Sequence, residues 1–150
     1  MKLLFNESLI HTDLDVYECG YQQCPPKHNY GPAVRNSYLL HYVFNGKGTF
    51  TCGGDTYYLE KGHGFLITPD SLIYYEADVS DPWEYFWIAF DGTMASYYLK
   101  QCGMEKSNPV FKFHEISYIR SCFTNMMAGE KLTSGREAYL RGHLYMLLSF

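Results

Sequence analysis

Tyr38-Leu39-Leu40-His41-Tyr42-Val43-Phe44-Asn45-Gly46-Lys47-Gly48 decides the fold. Seven aromatic and aliphatic residues make a strand, and the Asn-Gly-Lys-Gly tetrad ends it in a turn. Residues 49–52 run back out, Gly53-Gly54-Asp55 closes a hairpin, and residues 56–59 form its return strand. Further on, residues 65–68 make a strand stopped by Pro69-Asp70-Ser71, then come Leu72–Ala77, the turn Ser80-Asp81-Pro82, and a last clear strand over 83–90. Short strands at this spacing indicate a sandwich or barrel rather than alternating βαβ units. After Asp91-Gly92 the punctuation disappears. Residues 93–102 read as a helix with Gly103 as its C-cap. Residues 113–127 repeat Ile116, Ile119, Phe123 and Met126 near the helical period. Ser134 is expected as the N-cap of a helix over 135–150, with Glu137 completing a capping box. The last helix is apolar on more than one face and stops on Phe150 without a polar end. The expectation is that it packs on a partner and that the chain is a piece of a longer protein.

Composition bounds the rest. The 150 residues are 47% hydrophobic and 18% aromatic, enough for one core and too apolar for a disordered tail. The longest apolar runs fall far short of the ~20 residues of a membrane-spanning helix. The opening Met1-Lys2-Leu3-Leu4-Phe5 meets Asn6 and Glu7 at once, which is not the pattern of a signal peptide. Twelve Lys+Arg against sixteen Asp+Glu give a net charge of −4, so this stretch alone is a poor nucleic-acid binder. Five cysteines, at 19, 24, 52, 102 and 122, form no zinc-site spacing, and reduced thiols in a cytoplasm are the economical reading. No Gly-x-Ser-x-Gly, His-Glu-x-x-His or phosphate loop is present. The 15 tyrosines suit strands, and they also suit polar ligands with apolar faces, such as sugars.

Two runs carry a resemblance. One is Gly31–Phe50, with Arg35-x-x-Tyr38-Leu39-x-His41-Tyr42-Val43 and Gly46-Lys47-Gly48; the other is Pro82-Trp83-Glu84-Tyr85-Phe86-Trp87-Ile88-Ala89-Phe90-Asp91-Gly92. Together they resemble the N-terminal effector domain of AraC-type transcription regulators, strongly over about residues 15–105 and loosely over the helical tail. The resemblance implies a fold that is mainly β with C-terminal α-helices: a cupin-like double-stranded β-barrel of jelly-roll type, followed by dimerisation helices. The expected organisation is an N-terminal arm over 1–30, the effector-binding barrel over 31–92 and a helical segment over 93–150. It also implies a small-molecule effector, often a carbohydrate, a homodimer through the C-terminal helices, and DNA contact only through a helix-turn-helix domain that this chain lacks. Aligned on the Gly46 turn, the family's metal-ligand positions fall on Pro32, Val34, Leu39 and Tyr74. None is a good ligand, so no metal and no cofactor is expected.

Strand parity nominates the site. Trp83, Tyr85, Trp87 and Ala89 share one face, and Phe86, Ile88 and Phe90 share the packing face. An indole or phenol face stacks on the C–H face of a pyranose, and the resemblance places Tyr85 and Trp87 in the pocket lining. Trp83, at the strand start, is expected to contact ligand or to cover the barrel mouth. Leu39 and Tyr74 are expected inward from the family positions, which turns Arg35, His41 and Glu76 inward as well. Arg35 then pairs with Glu76, or with the ligand, or forms a structural salt bridge at the rim. His41 is a ligand contact or a core histidine bonded to tyrosine. His28 and Tyr30, on the proline-stiffened arm, are positional candidates. The remaining histidines, 11, 63, 114 and 143, read as surface or packing residues.

Three functions follow: an effector-sensing and dimerisation domain of a regulator; a stand-alone, metal-free sugar isomerase or epimerase using Tyr85 and His41 as acid and base; or a structural dimer module with a vestigial pocket. In the first, Leu140, Leu144 and Leu147, at near-heptad spacing, join protomers, unless the helices simply cap their own barrel.

Overall fold

The computed structural model describes residues 1–6 and 11–149. Ten strands come first in the chain order: β1 (Lys2–Phe5), β2 (Asp15–Gln23), β3 (Asn29–Val34), β4 (Tyr38–Asn45), β5 (Lys47–Cys52), β6 (Asp55–Glu60), β7 (His63–Ile67), β8 (Leu72–Ala77), β9 (Glu84–Asp91) and, after the helix α1 (Ala95–Gln101), β10 (Val110–Lys112). Helices α2 (Ile116–Ala128) and α3 (Arg136–Leu148) close the chain, with a 3₁₀ turn over Gly129–Lys131 between them. All strand pairs are antiparallel. They form a six-stranded sheet, β1-β2-β9-β4-β7-β10, and a four-stranded sheet, β3-β8-β5-β6. This is the expected cupin-like architecture, with two facing sheets and helices behind one of them.

β4 and β9 lie centrally in the larger sheet and are apolar on both faces, which is why they read as unbroken hydrophobic runs. Leu40, Tyr42, Phe44, Phe86, Ile88 and Phe90 turn toward the helices and meet Ile119, Phe123, Met126, Leu140, Leu144 and Leu147. The alternate residues, Leu39, Val43, Tyr85, Trp87 and Ala89, turn toward the smaller sheet.

Several expectations change. The stretch 1–30 is not an arm: β2 lies between β1 and β9 inside the larger sheet. Its pattern hid this because Glu18, Gly20 and Gln22 break the apolar alternation of a core strand. The segment before α2 adds β10 at the far edge of the same sheet, so Phe113 is not helical. Ser134 does not cap α3; Gly135 takes the N-cap position with no side-chain bond. The junction is fixed instead by Arg136, whose guanidinium donates to the carbonyls of Gly129, Glu130 and Leu132. The expected cap at Gly103 is present, with Gly103 N–H on Lys100 O at 3.0 Å and Met104 N–H on Leu99 O at 2.9 Å. Leu140, Leu144 and Leu147 are at most 1% exposed within their own core, so they are not available to a second protomer. Phe150 lies outside the described residues.

Candidate functional site

The space between the sheets is lined by aromatic rings with polar tips. His41 on β4 stands opposite Trp87 on β9 and Phe65 on β7. Its imidazole stacks on Phe65 at 4.4 Å between ring centroids, lies 5.1 Å from both Tyr75 and Tyr85, and 6.4 Å from Trp87. Tyr30 on β3 stacks on Tyr75 at 5.5 Å, and its hydroxyl accepts a 3.1 Å hydrogen bond from Arg35.

β2 contributes the missing carboxylate. Val16 pairs with Phe90 on the helix side, but the register slips at Tyr17, and Glu18 then pairs with Ala89 on the barrel side. This β-bulge turns Glu18, Gly20 and Gln22 inward. The Trp87 indole N–H donates to Glu18 Oε1 at 2.8 Å. Gly20, directly opposite Trp87, gives the indole its seat: a Cβ there would lie 2.3 Å from the ring.

The interior is filled and polar at the same time. Trp83, Phe50 and Phe65 have no exposed surface. Among the described residues, His41 Nδ1 and the Trp83 indole N–H are nevertheless buried without a hydrogen-bond partner. Each such orphan costs on the order of 1–3 kcal/mol. Burial, and then the charge of Arg35, lower the His41 pKa to about 3, so the ring is neutral near pH 7. Burial raises the Tyr75 and Tyr85 hydroxyls well above the usual phenol range, and it raises the Cys24 thiol beside Tyr85 to about 11.

The predicted residues therefore divide. Arg35, His41, Tyr85 and Trp87 come together. Trp83 is not at a mouth; it is fully buried, its ring 5.8 Å from Phe65 and 5.9 Å from Tyr85. Tyr74 and Glu76 do not face inward. They hydrogen-bond each other on the outer face of β8, while Ile73, Tyr75 and Ala77 line the interior. Arg35 accordingly does not pair with Glu76. The slip is one residue: Tyr75 holds the place expected for Tyr74. His28 sits at the far end of β8, its carbonyl accepting from Ala77 N–H at 2.8 Å, and no described side-chain contact joins it to the cluster. Of the four family metal positions, Leu39 is buried, Tyr74 faces out, and Pro32 and Val34 are exposed. No group of three His, Cys, Asp or Glu fit to hold a metal occurs among the described residues. Glu18 and Tyr75 are the residues that the sequence did not disclose; Tyr30, named by its position, joins the cluster through Tyr75 and Arg35. A separate cavity of about 660 Å³ opens on the helix side of the sheet, lined by Lys2, Leu3, Tyr21, Phe86, Arg120 and Met127 among others.

Residues 15–148 match the model of the AraC-like ligand binding domain. The chain belongs to that family. It is 35% identical to the Msm operon regulatory protein of Streptococcus mutans over 97% of its own length, and it spans 53% of that protein. It is 33% identical to the lactose operon transcription activator of Staphylococcus xylosus over 71% of its length, covering 37% of that relative. Its fold matches apo ToxT of Vibrio cholerae, in a variant form, with a TM-score of 0.62 over 93% of this chain and 56% of the other, at 7% identity. An AraC-like ligand binding domain thus accounts for the two-sheet barrel.

Proposed function

We propose that this domain senses a neutral carbohydrate for a transcription regulator and does no chemistry on it. The carrying observation is the convergence of Arg35, Tyr30, His41, Trp87 and Glu18 on one inward face of a ligand-binding barrel. Flat rings supply stacking surface for the C–H face of a sugar, and Arg35 and Glu18 supply a donor and an acceptor for its hydroxyls. The lactose and raffinose operons named for two of the relatives support a sugar as effector. A cytoplasmic setting fits such a regulator, and no described helix is long and apolar enough to cross a membrane. DNA contact belongs in this reading to a separate domain, since the net charge here is −4.

The isomerase reading is weakened by the same geometry. A base whose pKa is lowered to about 3 and a phenol raised far above its usual range are matched to neither half of proton transfer near neutral pH. The vestigial-pocket reading rests on the filled interior. A homodimer through the C-terminal helices uses, in this proposal, their exposed flanks: Tyr97 is 53% and Met146 42% exposed, and the Tyr98–Tyr145 contact sets α1 beside α3. Tryptophan fluorescence under titration with lactose and raffinose tests the sensor reading. Saturable quenching supports it; the absence of any response across a wider neutral-sugar panel removes it in favour of the vestigial pocket.

A further inference from the structure

We propose that Glu18 selects the effector, and that it does so by exchange: an effector hydroxyl takes the hydrogen bond that the Trp87 indole now donates. This rests on the carbohydrate-sensing reading and deepens it. Three features meet at the exchange. The bulge at Tyr17 turns Glu18, and with it Gly20 and Gln22, into the barrel instead of toward the helices. Gly20 has ordinary extended backbone, so the glycine is required there for space alone, and the space is the seat of the indole. Stacked against the indole lies the His41 ring, whose Nδ1 is buried without a partner. The filled barrel is therefore a closed arrangement in which Trp87 packs over an imidazole nitrogen that lacks a partner. A ligand that swings Trp87 from its seat gains access to that ring, and it must replace the proton donated to Glu18, because a carboxylate left bare beside an apolar wall is penalised.

That requirement defines the ligand. Glu18 demands a hydrogen-bond donor and Arg35 an acceptor, and a polyhydroxylated neutral molecule supplies both. A sugar acid or sugar phosphate satisfies Arg35 but brings its negative charge toward Glu18. Selection against anions is thus built into the strand that looked least like part of a barrel.

The test uses protein labelled with ¹⁵N at tryptophan, as wild type, Glu18→Gln and Glu18→Ala. In the ligand-free wild type, the Trp87 indole N–H resonance lies downfield of its position in Glu18→Ala. Titration with raffinose and lactose moves it upfield in the wild type, as the bond is handed over. Affinity for the neutral sugar falls at least tenfold in Glu18→Ala, whereas gluconate and glucose 6-phosphate, weak on wild type, bind Glu18→Ala or Glu18→Gln at least as well. Unchanged thermal midpoints in Glu18→Gln separate these effects from misfolding. Equal affinity of wild type and Glu18→Ala for the neutral sugar overturns the proposal. Preference of the wild type for the anionic sugars overturns it while leaving the effector site in place. Binding of neither class removes both the selection and the reading beneath it.

Discussion

The two faces of the six-stranded sheet are built from alternate residues of the same strands, yet they are different materials. Toward the helices, Leu40, Tyr42, Phe44, Phe86, Ile88 and Phe90 meet an apolar layer built largely of leucine, methionine and phenylalanine. Toward the smaller sheet, His41, Tyr85 and Trp87 place ring nitrogens and hydroxyls among other rings, with orphaned atoms at His41 and Trp83. Period-2 alternation lets one strand hold the fold with one set of side chains and present a polar-tipped aromatic surface, the proposed binding face, with the other. Changes on the helix side should therefore cost stability, and changes on the barrel side should cost recognition or pH tolerance.

The largest effect expected is on the helix side. Phe123 is fully buried between Tyr42 and Phe86, and Phe123→Ala should destabilise the domain by about 3–5 kcal/mol. Urea denaturation measures this; a loss below 1 kcal/mol would mean that the two faces share the load. Next comes the acid response of the barrel side. Above about pH 6.5, His41 is neutral in both folded and unfolded chains and adds no pH dependence. Below that, the unfolded chain takes up a proton that the folded one refuses until about pH 3. Stability should therefore fall as pH drops through this window, by up to roughly 1.4 kcal/mol per unit from this residue. Thermal midpoints of wild type and His41→Phe across pH 7 to 4 should diverge, with the variant flatter; parallel curves would contradict the account.

Arg35→Ala should sharpen the contrast in the other direction. Arg35 is half-buried and bonded to the Tyr30 hydroxyl, so its loss should change stability little. Effector affinity should drop roughly 10- to 100-fold, the equivalent of about 1.5–3 kcal/mol for a charge-assisted bond. Calorimetric titration of the variant reads this directly. The smallest effect expected is at Arg120, which ties α2 to β9 through Glu84 at 3.2 Å and lies over the Phe44 ring at 4.6 Å. Arg120 is 41% exposed, so Arg120→Ala should cost only about 0.2–1 kcal/mol by chemical denaturation. A multi-kcal/mol loss would show the helix layer to be held by charge rather than by packing.

The contrast also explains what was legible in the sequence. β4 through β9 were readable because their turns carry Gly, Asn, Pro and Asp and their apolar residues follow strand period. The parity of Tyr85, Trp87 and Ala89 against Phe86, Ile88 and Phe90 was readable for the same reason. β2 was not, because its inward positions are Glu18, Gly20 and Gln22: a carboxylate, an empty seat and an amide. Local pattern failed where the strand serves the site rather than the core. Tyr74 and Tyr75 were confused because two adjacent tyrosines carry no parity signal of their own; register with Phe50 and Tyr30 decides between them. Ser134 fitted a capping box, but the turn geometry belongs to Gly135 and the anchoring to Arg136. The final leucines fitted a seam between protomers equally well as a seam against their own sheet, since periodicity does not name the partner surface.

In the proposed function, effector recognition belongs to the barrel face alone. The most direct test is a map of backbone amide shifts during titration with the neutral sugar that binds. The strong shifts should fall at Glu18, Arg35, His41, Tyr75, Tyr85 and Trp87. Strong shifts confined to Lys2, Tyr21, Arg120 and Met127, around the helix-side cavity, would contradict it.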